Sequence, residues 1–267
     1  MERTAELEKA YKELKELDQL KSNFLSSVSH ELRTPTTAIV GFAKRVRKKL
    51  DDMVFPRVIL DDKTSRAVSQ VRDNLDIIVH ESERLALLID GVMDSVILDA
   101  GKVEWSFVPL VPMRLIERAV AVTAAQAEQK GLALSRVVES DLPEVSGNEP
   151  RLLQVLINLI ANAIKFTDLG QITLHAERQG DYVRFSVQDS GCGIAEKDQG
   201  KVFDKFKQIG DTLTGKPQGT GLGLSICQRI VQHHGGKIWL ESELGVGSTF
   251  FVTVPIDTEK VGMSICG

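Results

Sequence analysis

Apolar positions in the first hundred residues fall at alternating steps of three and four. Leu7, Ala10, Leu14, Leu17, Lys21, Phe24 and Val28 mark such a series, with one lysine intruding, and Leu32, Pro35, Ile39, Phe42 and Val46 carry it on. Steps of that kind put the marked side chains on one narrow stripe of a helix, the seam of a coiled coil. Between Phe24 and Leu32 two steps of four follow each other, a stutter that locally unwinds the supercoil. A second series, Val71, Leu75, Ile78, Ser82, Leu85, Ile89, Val92 and Val96, predicts a second long helix, and residues 51–62 between them predict a connecting loop. Two antiparallel helices with narrow seams bury little by themselves. Pairing two such hairpins gives a four-helix bundle with a proper core.

After Gly101 the texture changes to short β-rich runs, glycines and turns, which places a boundary at Asp99–Lys102 behind a helix-capping glycine. The expected strands are Val103–Val108, Ala133–Val138, Gln171–Arg178, Asp181–Gln188, Lys237–Ser242 and Ser248–Val254. Helices are expected at Met113–Gln129, at Glu149–Phe166 and near Leu222–His233, with Gln179-Gly180 as a hairpin turn. Hairpins with helices to one side predict an α/β sandwich rather than a doubly wound parallel sheet. The chain thus reads as residues 1–100 helical, 101–257 α/β, and 258–267 an unstructured tail.

Composition narrows the function. The 267 residues are 42% hydrophobic and 26% charged, which excludes wholesale disorder and leaves ample material for a core. A net charge of −4 argues against a nucleic-acid binder or a polybasic membrane-surface protein. No apolar run is long enough to span a membrane, and the charged, helical start is unlike a secretory signal. Three cysteines, Cys192, Cys227 and Cys266, without CxxC spacing fit a reducing, cytoplasmic compartment.

Chemistry gathers at a few places. At about 100° per residue, His30 lies almost opposite the Val28/Leu32 stripe, facing water or a partner. Glu31 beside it can accept one ring N–H and leave the other nitrogen a free nucleophile. Thr34, four residues on, shares its face. Pro35 costs a backbone hydrogen bond and predicts a bend. The plainer alternatives are a surface histidine and a coiled-coil spacer.

In the second half, Asn158 and Asn162 sit four apart in an otherwise apolar helix, where unpartnered amides are costly. Either they form a polar network that pins the helix, or a carbonyl oxygen ligates Mg²⁺ and Lys165 meets phosphate. Asp189 ends a strand ahead of Gly191 and Gly193; an ionised carboxylate there can accept from an exocyclic amine such as that of adenine. Gly219-Thr220-Gly221-Leu222-Gly223-Leu224 opens a helix whose N–H groups favour anions, but neither a βαβ context nor GK[ST] accompanies it. Glu196–Gln218, rich in glycine and lysine, suits a basic lid over phosphates or a solvated loop.

This combination resembles the sensor histidine kinases of two-component systems from about Leu17 to Pro255. SHELRTP at 29–35 is similar to the family's H box, NLIANAIKFT at 158–167 to its N box, and DSGCGI at 189–194 to its G1 box. FDKFKQ at 203–208 is similar to the F box and GTGLGLSI at 219–226 to the G2 box. The resemblance implies a dimerisation and histidine-phosphotransfer hairpin forming a dimeric four-helix bundle. It is followed by an α/β sandwich ATP-binding domain of the gyrase, heat-shock ATPase and histidine kinase type. It implies His30 as phosphoacceptor, Glu31 as general base, and Thr34 as a phosphatase residue. It implies ATP and Mg²⁺ as cofactors, with Asn162 on the metal, Asn158 in support and Lys165 on phosphate. Asp189 would take the adenine amine in a pocket shaped by Gly191 and Gly193. Phe166, Ile194, Thr220, Gly221, Leu222, Gly223 and Leu224 lie in the matched motifs as nucleotide contacts, and Thr249 matches a position beside adenine. The lid carries Lys207-Gln208 where many members have an arginine, leaving Lys205 as a substitute for the γ-phosphate contact. The implied partners are a second copy of the chain and a response-regulator receiver domain. The implied location is the cytoplasm, as the cytoplasmic portion of a membrane-anchored sensor. An ATP-driven conformational clamp and a nucleotide-sensing scaffold are the competing readings.

Overall fold

The computed structural model describes residues 32–57, 61–99, 105–207 and 221–257. The chain divides into two compact units, Met1–Lys102 and Val103–Gly267. The expected lead-in seam from Leu7 to Val28 and the tail from 258 lie outside the described residues.

In the first unit, helix α1 (32–49) runs through Pro35 without interruption. It closes into a π-type turn at Leu50–Val54 and a 3₁₀ turn at Phe55–Arg57, within the stretch expected as a connecting loop. Helix α2 (Asp62–Asp99) returns for 38 residues. Ion pairs Arg33–Asp90, Lys44–Glu83, Arg47–Asp76 and Arg72–Asp51 link the two helices in opposite sequence order, which fixes them as antiparallel. Half-exposed pairs of this kind contribute about 0–1 kcal/mol each, so they set register more than stability.

The described part of the seam lies mostly outside the hairpin's own interior. The buried stripe is Thr36 and Ala43 on α1 against Val79, Ile89, Met93 and Leu98 on α2. Thr36 satisfies its hydroxyl on the Leu32 carbonyl at 2.8 Å. Leu32, Ile39, Phe42 and Val46, with Val71, Ile78 and Leu85, stay exposed along the neighbouring stripe, Phe42 at 61%. Among the described residues of the expected seam, Ile89 alone is buried. A helix carrying two adjacent apolar stripes presents one to its hairpin mate and keeps the other outward.

The second unit is a five-stranded sheet in the order β2-β4-β5-β7-β6. The strands are β2 (Ala133–Val138), β4 (Gln171–Gln179), β5 (Tyr182–Asp189), β6 (Ile238–Glu243) and β7 (Gly247–Pro255). β2 and β4 pair in parallel because helix α4 (Glu149–Phe166) crosses between them, and the other pairs are antiparallel. Gly180, at φ +62°, turns the tight β4–β5 hairpin as expected. Two short strands, β1 (Val108–Leu110) and β3 (Val145–Gly147), pair to one side. β1 begins where a strand from Val103 was expected to end, and β3 was not anticipated. Helices α3 (Pro112–Gln129), α4 and α6 (Gly223–His233) complete the unit, with a single turn α5 (Glu196–Gln199).

One face of the sheet supplies the core: Ile172, Leu174, Ala176, Val183, Phe185, Val187, Phe250, Val252 and Val254 are all buried. Period-two alternation sends every second residue of those strands to the other face. On α4, Leu152, Val155, Leu156, Leu159, Ile160, Ala163 and Ile164 are buried, one broad apolar stripe. Its ends are tied. The Asn148 side chain accepts from Arg151 N at 3.2 Å, and Lys130 Nζ donates to the carbonyls of Ile164, Lys165 and Thr167 at 2.8–3.0 Å.

His234 joins α6 to the start of α4. Its Nδ1–H donates to Ile230 O at 2.7 Å while Nε2 accepts from Asn148 N at 2.9 Å. Trp105 stacks on His233 at 4.6 Å and meets His234 edge-on at 5.4 Å. Both bonds require the neutral ring, since a second N–H would face the Asn148 amide hydrogen. Burial, and then the charge of neighbouring His233, lower the His234 pKa. Below about pH 6.5 the unfolded chain therefore binds a proton that the folded chain refuses, and stability falls. Both tryptophans, Trp105 and Trp239, lie in this unit, so their fluorescence follows its unfolding selectively. The urea midpoint read this way should drop as pH is lowered from 7.5 to 5.5, and His234→Phe should flatten that dependence. Equal pH slopes in parent and variant would remove His234 as the cause.

Candidate functional site

The site forms where the end of β5, the C-terminal half of α4 and the start of α6 converge. Asp189 closes β5 with only 8% of its surface exposed. Its Oδ1 accepts from the amides of Gly191 at 2.8 Å and Ser248 at 3.3 Å. Burial pushes the carboxyl above its ordinary range, and the two amide donors pull it partly back. The second oxygen, Oδ2, takes neither amide and is the acceptor that Asp189 can offer a ligand.

The turn beyond Asp189 is threaded between two other backbones. A Cβ on Gly191 would lie 2.5 Å from Phe166 O, and one on Gly193 only 1.9 Å from Glu243 O. Gly193 also takes φ +67°, a region only glycine enters cheaply. Cys192 N donates to Phe166 O at 3.2 Å and Ile194 N to Ser242 Oγ at 2.8 Å. On the far side, Gly247 would place a Cβ 2.1 Å from Asp189 O. These glycines serve close approach, and the carboxylate sits where the three segments meet.

The other end of the site is cationic and polar. Asn158, Asn162 and Lys165 follow one another along a half-buried strip of α4. Burial lowers the Lys165 amine, which lies 4.8 Å from the centre of the Phe166 ring. The Asn162 side chain hydrogen-bonds no described residue. Asn158 Nδ2 donates to Cys227 Sγ at 3.7 Å, and a Cβ placed on Gly223, which opens α6, would lie 3.9 Å from the same amide. No side chain caps the α6 N-terminus, so its first-turn amides are available to an anion. Phe206 N donates to Gly221 O at 2.9 Å, so the FDKF segment packs on the glycine stretch. Phe206 itself takes φ +62°.

Asp189, Gly191, Gly193, Ile194, Phe166, Asn158, Asn162, Lys165, Gly221, Gly223 and Leu224 all belong to this convergence of segments or its edges. Two expected contacts need correction. The Leu222 side chain is fully buried and anchors the loop in the core, so only its backbone can meet a ligand. Thr249 pairs with Gln188 and Glu241, both exposed, on the sheet face opposite Asp189; Ser248 occupies the site side. The signal was present in the sequence: Phe250 is core, and alternation puts Ser248 on its face. Cys227 was passed over because a lone cysteine carries no spacing pattern.

Thr34 is exposed on α1, and Lys205 is exposed beyond α5. Of the expected lid, residues 196–207 form α5 and a series of turns with Val202 buried. His30, Glu31, Thr220 and the rest of the lid lie outside the described residues. Among the described residues no group of three His, Cys, Asp or Glu side chains could hold a metal ion. The donors present are neutral amide oxygens, which suit Mg²⁺ delivered together with a polyphosphate rather than a protein-only cage. No described helix is long and apolar enough to cross a membrane.

Comparison with known proteins agrees with this geometry. Residues 147–258 match the model of the histidine kinase-, DNA gyrase B- and HSP90-like ATPases, and residues 20–101 match the His Kinase A phospho-acceptor domain. The catalytic domain of the histidine kinase ThkA is 32% identical with a TM-score of 0.50, covering 57% of this chain and 98% of that one. This chain belongs to the histidine kinase family. Full-length ShkA, solved with AMPPNP, is 30% identical with a TM-score of 0.64 over 88% of this chain and 46% of its own. ThkA in complex with the response regulator TrrA aligns over 89% of this chain and 62% of its own, at 29% identity and TM-score 0.56. The signal transduction histidine-protein kinase BarA of Escherichia coli K12 is 34% identical over 258 residues, which is 94% of this chain and 26% of BarA. The chain therefore spans about a quarter of the length of such a curated relative, the part that forms a sensor histidine kinase catalytic core.

Proposed function

We propose that this catalytic core uses ATP to phosphorylate His30 and passes the phosphoryl group to an aspartate of a response-regulator receiver domain. The observation that carries the reading is the buried Asp189 carboxylate, set across from the α6 N-terminus, which no side chain caps, and the Asn158/Asn162/Lys165 strip. A purine amine fits the acceptor end and a triphosphate the donor end. Bound Mg²⁺ would neutralise phosphate charge, with the Asn162 amide oxygen as its protein ligand and Asn158 in support.

Phosphoryl transfer demands positioning and charge stabilisation more than covalent chemistry by the protein. Lys165 and the α6 amides hold the phosphates, with Lys205 assigned to the γ-phosphate from the lid. Glu31 orients the neutral His30 imidazole and takes its ring proton. The imidazole nitrogen attacks the γ-phosphorus, the bond to the β-bridging oxygen breaks, and ADP leaves a phosphoramidate. The outward Leu32/Ile39/Phe42/Val46 stripe supports a homodimer through the hairpin, since such a stripe is costly to leave in water. The protein is assigned to the cytoplasm, as the cytoplasmic portion of a sensor.

Three experiments test the reading. With γ-³²P-ATP the chain should become labelled on a bond stable to base and lost in mild acid, and His30→Gln should abolish labelling while binding ATP normally. A clamp or a sensing scaffold would take no label. Asp189→Asn replaces an acceptor-only group with an amide that can turn an N–H toward the purine amine. Losing a hydrogen bond to a charged group should weaken ATP about tenfold to a hundredfold by calorimetry, and unchanged affinity would remove Asp189 from the site. Thr34 lies four residues after His30 in the sequence, and its hydroxyl is assigned to orient water toward a docked receiver's aspartyl phosphate. Thr34→Ala should keep autophosphorylation yet slow dephosphorylation of the phosphorylated regulator; equal rates would leave a kinase without that phosphatase role.

A further inference from the structure

The thiol of Cys227 touches the Asn158 amide, at the end of the site proposed to hold phosphate. Cys227 is fully buried on α6, one turn beyond Gly223, and burial pushes its pKa up to about 12. It remains a neutral thiol at any physiological pH, with one weak donor and one weak acceptor. The donor has a partner: Sγ–H points to Val155 O on α4 at 3.9 Å. The acceptor has one too, since Asn158 Nδ2 lies 3.7 Å from the sulfur. With the thiol hydrogen directed at Val155, the sulfur can meet only the nitrogen end of the Asn158 amide. A carbonyl oxygen placed there would face a lone pair. A Cβ placed on Gly223 would lie 3.9 Å from Asn158 Cγ and Nδ2, so the start of α6 passes close beside the same amide.

We propose that Cys227 is a positioning residue: it holds the Asn158 amide by its nitrogen, so that the carbonyl oxygen is the end presented to the metal–triphosphate. The inference rests on the proposed ATP-binding role of Asn158 and adds what decides which end of that amide is offered. An unpinned amide samples both orientations, and the one that shows N–H₂ repels a cation. Cys227 acts through Asn158 alone and needs no redox change or ionisation.

The test separates nucleotide affinity with Mg²⁺ from affinity in EDTA, by calorimetry with ATP on the full chain. Cys227→Val removes the acceptor while keeping an apolar side chain of similar size. It should cut the Mg²⁺-dependent gain in affinity about threefold to tenfold and leave the EDTA value within about twofold. Cys227→Ser restores a group that both donates and accepts, and should return the gain to the parent level. A merely packing role would shift both conditions together or give no rescue. A Cys227→Val gain equal to the parent's overturns the inference while leaving ATP binding in place; a parent that binds no ATP overturns the functional reading as well. If the substitutions do not fold, the ¹⁵N spectrum of the unmodified chain decides. One Asn158 side-chain amide proton protected from solvent exchange supports the pin, and a freely exchanging pair overturns it.

Discussion

Burying the Asp189 carboxylate at the end of a strand commits the backbone around it, because a desolvated charge must be answered by donors that water no longer supplies. The donors are main-chain amides, Gly191 from the following turn and Ser248 from the neighbouring strand. Main-chain amides reach a carboxylate only if their own chains come very close. That closeness explains why Gly191, Gly193 and Gly247 have no room for a Cβ. It also explains why Phe166 at the end of α4 and Glu243 at the end of β6 are drawn into the same few ångströms. One charge thus fixes the relative placement of β5, β7, β6 and α4. The glycine motif is a consequence of that packing before it is a ligand signature.

The helical unit obeys a different constraint. Its two helices bury a modest stripe against each other, with a threonine and an alanine as the fully buried residues of α1. Such small residues let the helices approach closely but contribute little apolar area, about 25 cal/mol for each Å² removed from water. The bulkier Leu32, Ile39, Phe42 and Val46 are left on the outside. The hairpin is thus better supplied with apolar surface outward than inward, which gives the proposed pairing with a second copy its driving force. The cross-hairpin ion pairs fit this picture. Being half exposed, they fix the antiparallel register without competing for the stripe that a partner would cover.

The legible part of the sequence was the part with strong periodicity. Helix α4 and strand β2 have the bounds that their apolar patterns predict, and the β4–β5 hairpin turns at Gly180 as its dipeptide suggests. The three-residue β3 was illegible because so short a strand holds less than two periods of alternation. The heptad series located two helices correctly but could not distinguish the stripe facing the hairpin mate from the one beside it. Those stripes are a single residue apart at Pro35/Thr36 and at Phe42/Ala43. In the site, motif residues were found where chemistry demands an unusual residue type, as at Asp189 and Asn158. The supporting residues Ser248, Cys227 and His234 were missed because each is chemically ordinary until its neighbours are known. Thr249 shows the converse error: a motif position one residue off the correct face of the sheet.

The two ends of the site have opposite electrostatic character, and that polarity orders the proposed ligand before any specific contact is considered. Asp189 offers a bare acceptor oxygen in a desolvated setting, where an N–H donor is favoured and a phosphate oxygen is repelled. The start of α6, with its uncapped amides, and the Lys165 amine favour the reverse. A nucleotide, with donors on its base and acceptors on its phosphates, can satisfy both ends in one direction only. The distance between the ends is maintained by α4, which contributes Phe166 to the carboxylate loop and Asn158 to the phosphate side. Lys130 locks the C-terminal carbonyls of that helix, and His234 ties its first residues to α6. Both ties hold main-chain groups of the helix rather than the site's side chains. Both act by preventing α4 from sliding, so the helix that spans the ligand behaves as a rigid ruler between the acceptor and donor ends.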